Sequence, residues 1–147
     1  MNKLSKKTEY ALMALKLFND IDLESKGLKP RSRNILRLTV SAQDIAEQTH
    51  APYDVISRVL QVLSSRGILK AEYGLFGGYQ LSKNLNDVTV HELIDALESS
   101  TDLAKCLSSE NDCELSSKCT IVTPITQLNL KVQNFYKSIT LHEVLHV

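Results

Sequence analysis

The stretch Val40-Ser41-Ala42-Gln43-Asp44-Ile45-Ala46-Glu47-Gln48-Thr49-His50-Ala51-Pro52-Tyr53-Asp54-Val55-Ile56-Ser57-Arg58-Val59-Leu60-Gln61-Val62-Leu63-Ser64-Ser65-Arg66-Gly67 decides the fold. Ser41 is a good helix N-cap and Asp44, three residues on, can return its hydrogen bond. Val40 and Ile45 stand at the two positions of a hydrophobic staple, so a short helix is predicted over residues 42–48. Thr49-His50-Ala51 makes a tight turn. Pro52 suits the first position of a second helix, where its fixed φ is already helical and its missing N–H costs nothing. In that helix Val55, Ile56, Val59, Leu60 and Leu63 form one apolar stripe, and Gly67 closes it. Two helices joined by so short a turn make the helix-turn-helix unit.

Working outward, Ile68 to Glu72 and Tyr79-Gln80-Leu81 read as strands around Tyr73-Gly74-Leu75-Phe76-Gly77-Gly78, the composition of a Gly-rich hairpin tip. A hairpin directly after the second helix is the winged variant of the unit. The helix after the turn would then lay its N-terminal side chains in a major groove. Tyr53, Asp54, Ser57, Arg58 and Gln61 are the candidates on its polar face, and Tyr73, Gly74 and Gly77 are the candidates at the wing. The alternatives are a solvated helix face and a winged helix that docks protein rather than DNA.

Upstream, Ala11, Ala14, Leu15, Phe18 and Ile21 recur at helical spacing within residues 4–22. Residues 25–34, with Gly27 and Pro30, read as a long loop. Leu36, Leu38 and Val40 alternate with Arg37 and Thr39 as a short strand. Downstream, Thr89 with Glu92 is a capping box, and Val88 with Leu93 is its staple, opening a helix over residues 90–98. Beyond a polar segment, Ile121, Ile125, Leu128, Val132, Phe135 and Ile139 are spaced by 4, 3, 4, 3 and 4 residues, the a/d seam of a helix that packs on a copy of itself. Thr140 with Glu143 caps a short last helix.

The 147 residues suffice for one ordinary domain with its own core, without disulfides. A content of 43% hydrophobic and 23% charged residues excludes disordered, collagen-like and low-complexity chains. No apolar run reaches the roughly 18 residues of a membrane span, and the N-terminal residues do not read as a signal peptide, so a cytoplasmic protein with no membrane role is expected. The net charge of zero hides an asymmetry. Residues 1–70 carry 12 Lys and Arg against 7 Asp and Glu, and residues 71–147 carry 5 against 10. One half can face a polyanion, and Lys3, Lys6 and Lys7 near the N-terminus belong to it.

All three cysteines, Cys106, Cys113 and Cys119, lie within residues 101–120, spaced C-x6-C-x5-C among Ser, Asp, Asn, Glu and Lys. Thiolates are soft ligands that favour iron–sulfur clusters, zinc or Cu(I), and buried structural cysteines rarely gather in so polar a loop. A tetrahedral site needs a fourth ligand from elsewhere. Glu9 on the first helix is one carboxylate that could serve, although a first-turn Glu is ordinarily explained by the helix dipole. His142-Glu143-Val144-Leu145-His146 matches the H-E-x-x-H zinc-protease pattern. Only Val147 follows it, so no downstream ligand is available, and a surface metal site or subunit contact is the better reading. No nucleophile triad, phosphate-binding loop or dinucleotide fingerprint occurs, so neither an enzyme nor a small-molecule substrate is expected.

Taken in order, Leu4 to Leu12, Val40 to Ala46, Val59 to Leu69, the wing Gly77-Gly78-Tyr79-Gln80-Leu81, Thr89-Val90, the three-cysteine loop and Ser138-Ile139-Thr140-Leu141 resemble the IscR/NsrR-type (Rrf) winged-helix regulators of bacteria over nearly the whole chain. The resemblance implies a mainly α fold with a small β-hairpin wing and a long C-terminal dimerisation helix. It implies a DNA-binding domain over residues 1–100, a cluster loop over 101–120, and a dimerisation helix with a short terminal helix over 121–147. It further implies a homodimeric transcription regulator that binds a double-stranded operator, with a [2Fe-2S] or [4Fe-4S] cluster held by Cys106, Cys113 and Cys119 tuning DNA affinity as a redox, nitric oxide or iron sensor. Some members take a His three residues after the last Cys as fourth ligand, where Val122 stands here. Others take an acidic residue of the partner's first helix, where Glu9 stands. The first cysteine spacing is six residues where members usually have five, and Tyr73 occupies a wing position often held by Arg. A thiol or zinc sensor using the same cysteines is the alternative.

Overall fold

The computed structural model describes residues 4–25, 39–75, 77–98, 100–108 and 113–146. Its first element, α1 (Lys6–Ser25), buries Ala11, Ala14, Leu15 and Phe18 along one stripe and keeps Ile21 half-buried. Leu36 and Leu38, expected in a strand, lie outside the described residues. Val40 does make strand-like hydrogen bonds, pairing with Tyr79 through bonds of 2.9 and 2.8 Å.

Helix α2 (Ala42–Thr49) starts at the predicted cap. Ser41 Oγ accepts from the Asp44 N–H at 3.1 Å and Asp44 Oδ2 accepts from the Ser41 N–H at 3.3 Å. His50 ends it in the left-handed region at φ 53°. Helix α3 (Tyr53–Ser65) begins one residue later than expected. Pro52 is its N-cap, at ψ 130°, and its carbonyl accepts from Val55 and Ile56 N–H groups at 3.1 Å. The φ of −60° that suits a proline to the first helical turn suits this cap equally. At the other end Gly67 takes φ +71°, and Gly67 and Ile68 donate to the carbonyls of Ser64 and Leu63, both at 3.0 Å. A β-carbon would resist that conformation, which is why the helix stops at the glycine.

Strands β1 (Leu69–Glu72) and β2 (Gly78–Leu81) pair antiparallel with Leu69 opposite Leu81 and Glu72 opposite Gly78. A 3-10 turn at Leu85–Asp87 leads to α4 (Val90–Leu97), opened by the Thr89/Glu92 capping box over buried Val88 and Leu93. After the polar segment come α5 (Val122–Ser138) and α6 (Leu141–Leu145). The chain between these helices is pinned to the start of α4. Val90 N–H donates to Ile139 O at 2.9 Å and Leu141 N–H to Val88 O at 2.8 Å. Leu141, fully buried, therefore enters the same core as Leu15, Ile45, Ile56, Leu60, Leu63 and Leu93. Each such side chain contributes about 1.5–3 kcal/mol by leaving water. The architecture is the expected one: mainly helical, with a two-stranded wing after a helix-turn-helix. Among the described residues no helix is long and apolar enough to cross a membrane.

Candidate nucleic-acid interface and cysteine loop

Burying Ile56, Val59, Leu60 and Leu63 on one side of α3 turns Tyr53, Asp54, Arg58 and Gln61 outward, with Ser57 half-buried beside them. Tyr53 is 52% exposed, a large amphipathic side chain on the outward face. A groove of about 540 Å³ runs along this helix, lined by Val55, Val59, Val62 and Leu97, with Arg58, Gln61 and Ser65 around them. Lys7 reaches the same groove from the first turn of α1. Two cations thus stand near one another, and among the described residues no carboxylate lies within ion-pair distance of either. Sequence reading placed Lys7 only near the terminus; its adjacency to Arg58 depends on how α1 packs across α3. Lys3 lies outside the described residues.

At the wing Tyr73 and Gly74 are exposed at the tip, and Tyr73 projects almost entirely into solvent. Gly77 is half-buried and its N–H donates to Gly74 O at 3.0 Å; a β-carbon there would come within 2.5 Å of Glu72 O. Its glycine is thus required by the hairpin whatever the tip touches. Glu72 accepts from Lys70 Nζ at 2.8 Å and from Gln80 at 3.1 Å, and the Lys70 contact holds its carboxyl below the usual range.

Cys106 is half-buried in a 3-10 turn at Lys105–Leu107, Cys113 is exposed, and Cys119 is half-buried after a second such turn at Ser116–Lys118. None forms a disulfide. Residues 109–112 between the first two lie outside the described residues. Among the described residues no three His, Cys, Asp or Glu side chains of this one chain gather as a metal-binding group. Glu9 in particular is turned to Lys6, accepting from its Nζ at 2.6 Å; that bond, then the charge, raises the lysine above its ordinary pKa. The donor chemistry nonetheless fits a thiophilic metal centre: three thiols in one segment, none consumed by a disulfide, on turn and irregular backbone that can bend around a ligand.

The entrance to this loop carries a network that sequence reading missed. Asn129, 7% exposed in the middle of α5, accepts from Leu103 N–H at 2.9 Å and donates to Asp102 Oδ1 at 3.0 Å. Gln133 Nε2 donates to Asp102 Oδ1 at 3.2 Å and to Thr101 Oγ1 at 3.3 Å. An Asn within an apolar helix was the available signal; its partners were not.

The seam of α5 divides into two rows. Ile125, Val132 and Ile139 are half-buried toward their own body, whereas Ile121, Leu128 and Phe135, seven residues apart, are 54–60% exposed. Ile121 and Ile139 lie just outside the helix, as its N- and C-caps. The H-E-x-x-H residues lie on the short helix α6 and, at His146, its C-cap. Glu143 accepts from the Thr140 N–H at 2.7 Å as a capping residue, which lowers its pKa. The rings of His142 and His146 stack at 3.8 Å, and His146 bonds to Asn19 and to the carbonyl of His142.

Known proteins match this arrangement closely in extent. The chain is 27% identical to the HTH-type transcriptional regulator IscR of Vibrio atlanticus over 143 residues, covering 97% of this chain and 75% of that protein. The corresponding figures for the IscR regulator of Pectobacterium atrosepticum are 28% over 107 residues, 73% and 65%. Among solved structures, CymR, the global cysteine regulator of B. subtilis, superposes with a TM-score of 0.63 at 22% identity, over 99% of this chain and 98% of that one. The IscR of T. potens gives 0.61 at 22%, over 99% and 87%. The family model described as an iron-dependent transcriptional regulator, Rrf2, matches residues 4–147, and the chain belongs to the Rrf2 family of transcriptional regulators.

Proposed function

We propose that the chain acts in the cytoplasm as a homodimeric, non-enzymatic regulator whose grip on double-stranded DNA is set by an iron–sulfur cluster on its cysteine loop. The division of labour follows the three segments: residues 1–100 read DNA, 101–120 hold the cluster, and 121–147 join the subunits. Tyr53, Asp54, Ser57, Arg58 and Gln61 face the major groove, Lys3 and Lys7 the phosphates, and Tyr73 with Gly74 the minor groove. The outward row Ile121, Leu128 and Phe135 meets its copy in the second subunit, while Ile125, Val132 and Ile139 brace the helix on its own body.

Cys106, Cys113 and Cys119 would hold the cluster, with Glu9 of the other subunit as the fourth ligand in place of its exposed pairing with Lys6. When bound, the cluster supplies a centre that oxidants, nitric oxide or iron shortage can remove. The observation that carries this reading is the concentration of every thiol in the one segment between the DNA-facing body and the helix with the unpartnered apolar row. The family model is described as an iron-dependent transcriptional regulator, which agrees with an iron-containing centre on this loop.

A second reading has its own support. A structural neighbour is titled the global cysteine regulator of B. subtilis. On that reading the same thiols, or a zinc ion on them, sense directly. Anaerobic purification followed by absorption spectroscopy with iron and sulfide assays separates the two. Visible absorption with stoichiometric iron and sulfide supports the cluster. A colourless protein that stays iron-free after reconstitution, with DNA affinity that tracks thiol state, supports the alternative.

A further inference from the structure

The chain leading into the cysteine loop is tied to two different helices, at Glu98 and at residues 101–103. At the first end Glu98, the C-cap of α4, accepts through Oε1 from Ser5 Oγ and from Thr8 Oγ1, the latter at 2.7 Å. Thr8 is 1% exposed, so this carboxylate is bound into the opening turn of α1 beside Lys7. At the second end Asn129 holds Leu103 N–H and Asp102 Oδ1 with the two atoms of its amide, and Gln133 adds its own bonds to Asp102 and Thr101. Asp102 Oδ2 is in turn bonded by Ser100 Oγ at 2.9 Å. Cys106 follows three residues after Leu103, in a turn closed by Leu107 N–H on Ala104 O at 3.0 Å.

The pattern is chemically selective. The backbone N–H of Leu103 requires an acceptor and the carboxylate of Asp102 requires a donor, so one buried side chain must present both. An asparagine does. Aspartate would set two carboxylates against each other, and leucine would offer neither the acceptor nor the donor. A buried amide satisfied on both sides in this way fixes one arrangement of the segment it holds.

We propose that Asn129 is a positioning residue for Cys106, and that the ties of Asp102 to α5 and of Glu98 to α1 together carry a change at the cysteines to the first turn of α1 and its DNA-facing lysine. The second half rests on the proposed sensing role of the cysteines.

The test uses the full-length reduced chain and a pulse of iodoacetamide, with the alkylation of each cysteine followed by mass spectrometry. Asn129→Leu, Asn129→Asp and the milder Asp102→Ala should each speed Cys106 by about fivefold or more, leaving Cys113 within about twofold. The exchange pair Asn129→Asp with Asp102→Asn restores donor and acceptor and should return Cys106 to its original rate. Asp102→Ala alters a half-exposed loop residue, so it remains informative if a helix variant fails to fold. An unchanged Cys106 rate in folded variants overturns the latch. In a second arm, binding to a duplex selected from a random pool is titrated before and after alkylation. The wild-type affinity should change by about tenfold or more, and Glu98→Ala should shrink that change to about threefold or less. A full response in Glu98→Ala overturns the relay. A wild-type protein that ignores alkylation removes the sensing role and the relay with it, while the Cys106 rates still decide the latch.

Discussion

The body built from α1 to α4 and the segment running from the cysteines into α5 are held together in different ways. In the first, apolar side chains at helical spacing meet and exclude water; Leu15, Ile45, Leu60 and Leu63 are fully buried, and most helix starts are capped by the chain's own side chains. In the second, the one buried residue of α5 is an asparagine, and Val122, Leu128, Leu130 and Phe135 of the same helix are exposed. The first region thus buries its apolar stripes within its own described residues, whereas the second keeps large apolar side chains exposed on α5.

The largest expected effect sharpens that contrast directly. Leu60→Ala removes a fully buried side chain and should lower stability by about 2–5 kcal/mol in denaturant unfolding. Leu128→Ala, on the exposed row, should leave the unfolding of an isolated subunit within about 0.5 kcal/mol. If Leu128 instead costs as much as Leu60 in dilute monomer, α5 is part of the chain's own core. Leu128→Asp puts a carboxylate where the second subunit is proposed to sit. Sedimentation should then find monomers, because a charge buried without a partner is costly. A Leu128→Asp protein that stays dimeric moves the interface off this row.

The DNA face comes next in size. Arg58→Ala should cost about 1–3 kcal/mol at a specific site and relax its base preference. Lys7→Ala should weaken all duplexes alike and reduce the slope of log affinity against log salt by about 1. Fluorescence anisotropy across a salt series checks both, and equal effects of the two substitutions on specific and random duplexes would reduce Arg58 to a phosphate contact.

These contrasts also mark what could be read from the sequence. Ser41 with Asp44, Thr89 with Glu92 and Thr140 with Glu143 were legible because each capping box closes over three residues, where chain connectivity dictates the geometry. The stripe of α3 was legible for the same reason, and burying it names the outward residues automatically. Pro52 was misplaced by one position because a proline's φ fits both the cap and the first turn. The Asn129 network was illegible: Leu103 and Asp102 lie 26 and 27 residues away, and nothing local says which polar group a mid-helix asparagine will meet. Glu98 is more remote still, 90 residues from Thr8. The α5 heptad showed an apolar face but not its division, since how far a helix rolls onto its own body is set by tertiary packing.

The smallest expected effect concerns pH. The Thr140 backbone and side chain lower the pKa of Glu143 in the folded chain. A carboxyl whose folded value is depressed adds stability above its unfolded value, and that stability is lost as pH falls through the folded one. The melting temperature of Glu143→Gln should therefore lie slightly below wild type near neutrality and converge with it in acid. A gap that is constant over pH would assign the difference to something other than the charge on the cap.

Whether the cysteines govern DNA affinity is decided by one titration. Anaerobically reconstituted protein and the same protein after air exposure are titrated against a duplex selected from a random pool, beside a variant carrying Cys106→Ala, Cys113→Ala and Cys119→Ala. Control by the cysteines gives an affinity that differs by about tenfold or more between the two wild-type preparations and not at all between the two variant preparations. Equal wild-type affinities before and after air, with the cluster demonstrably gained and lost, would contradict it.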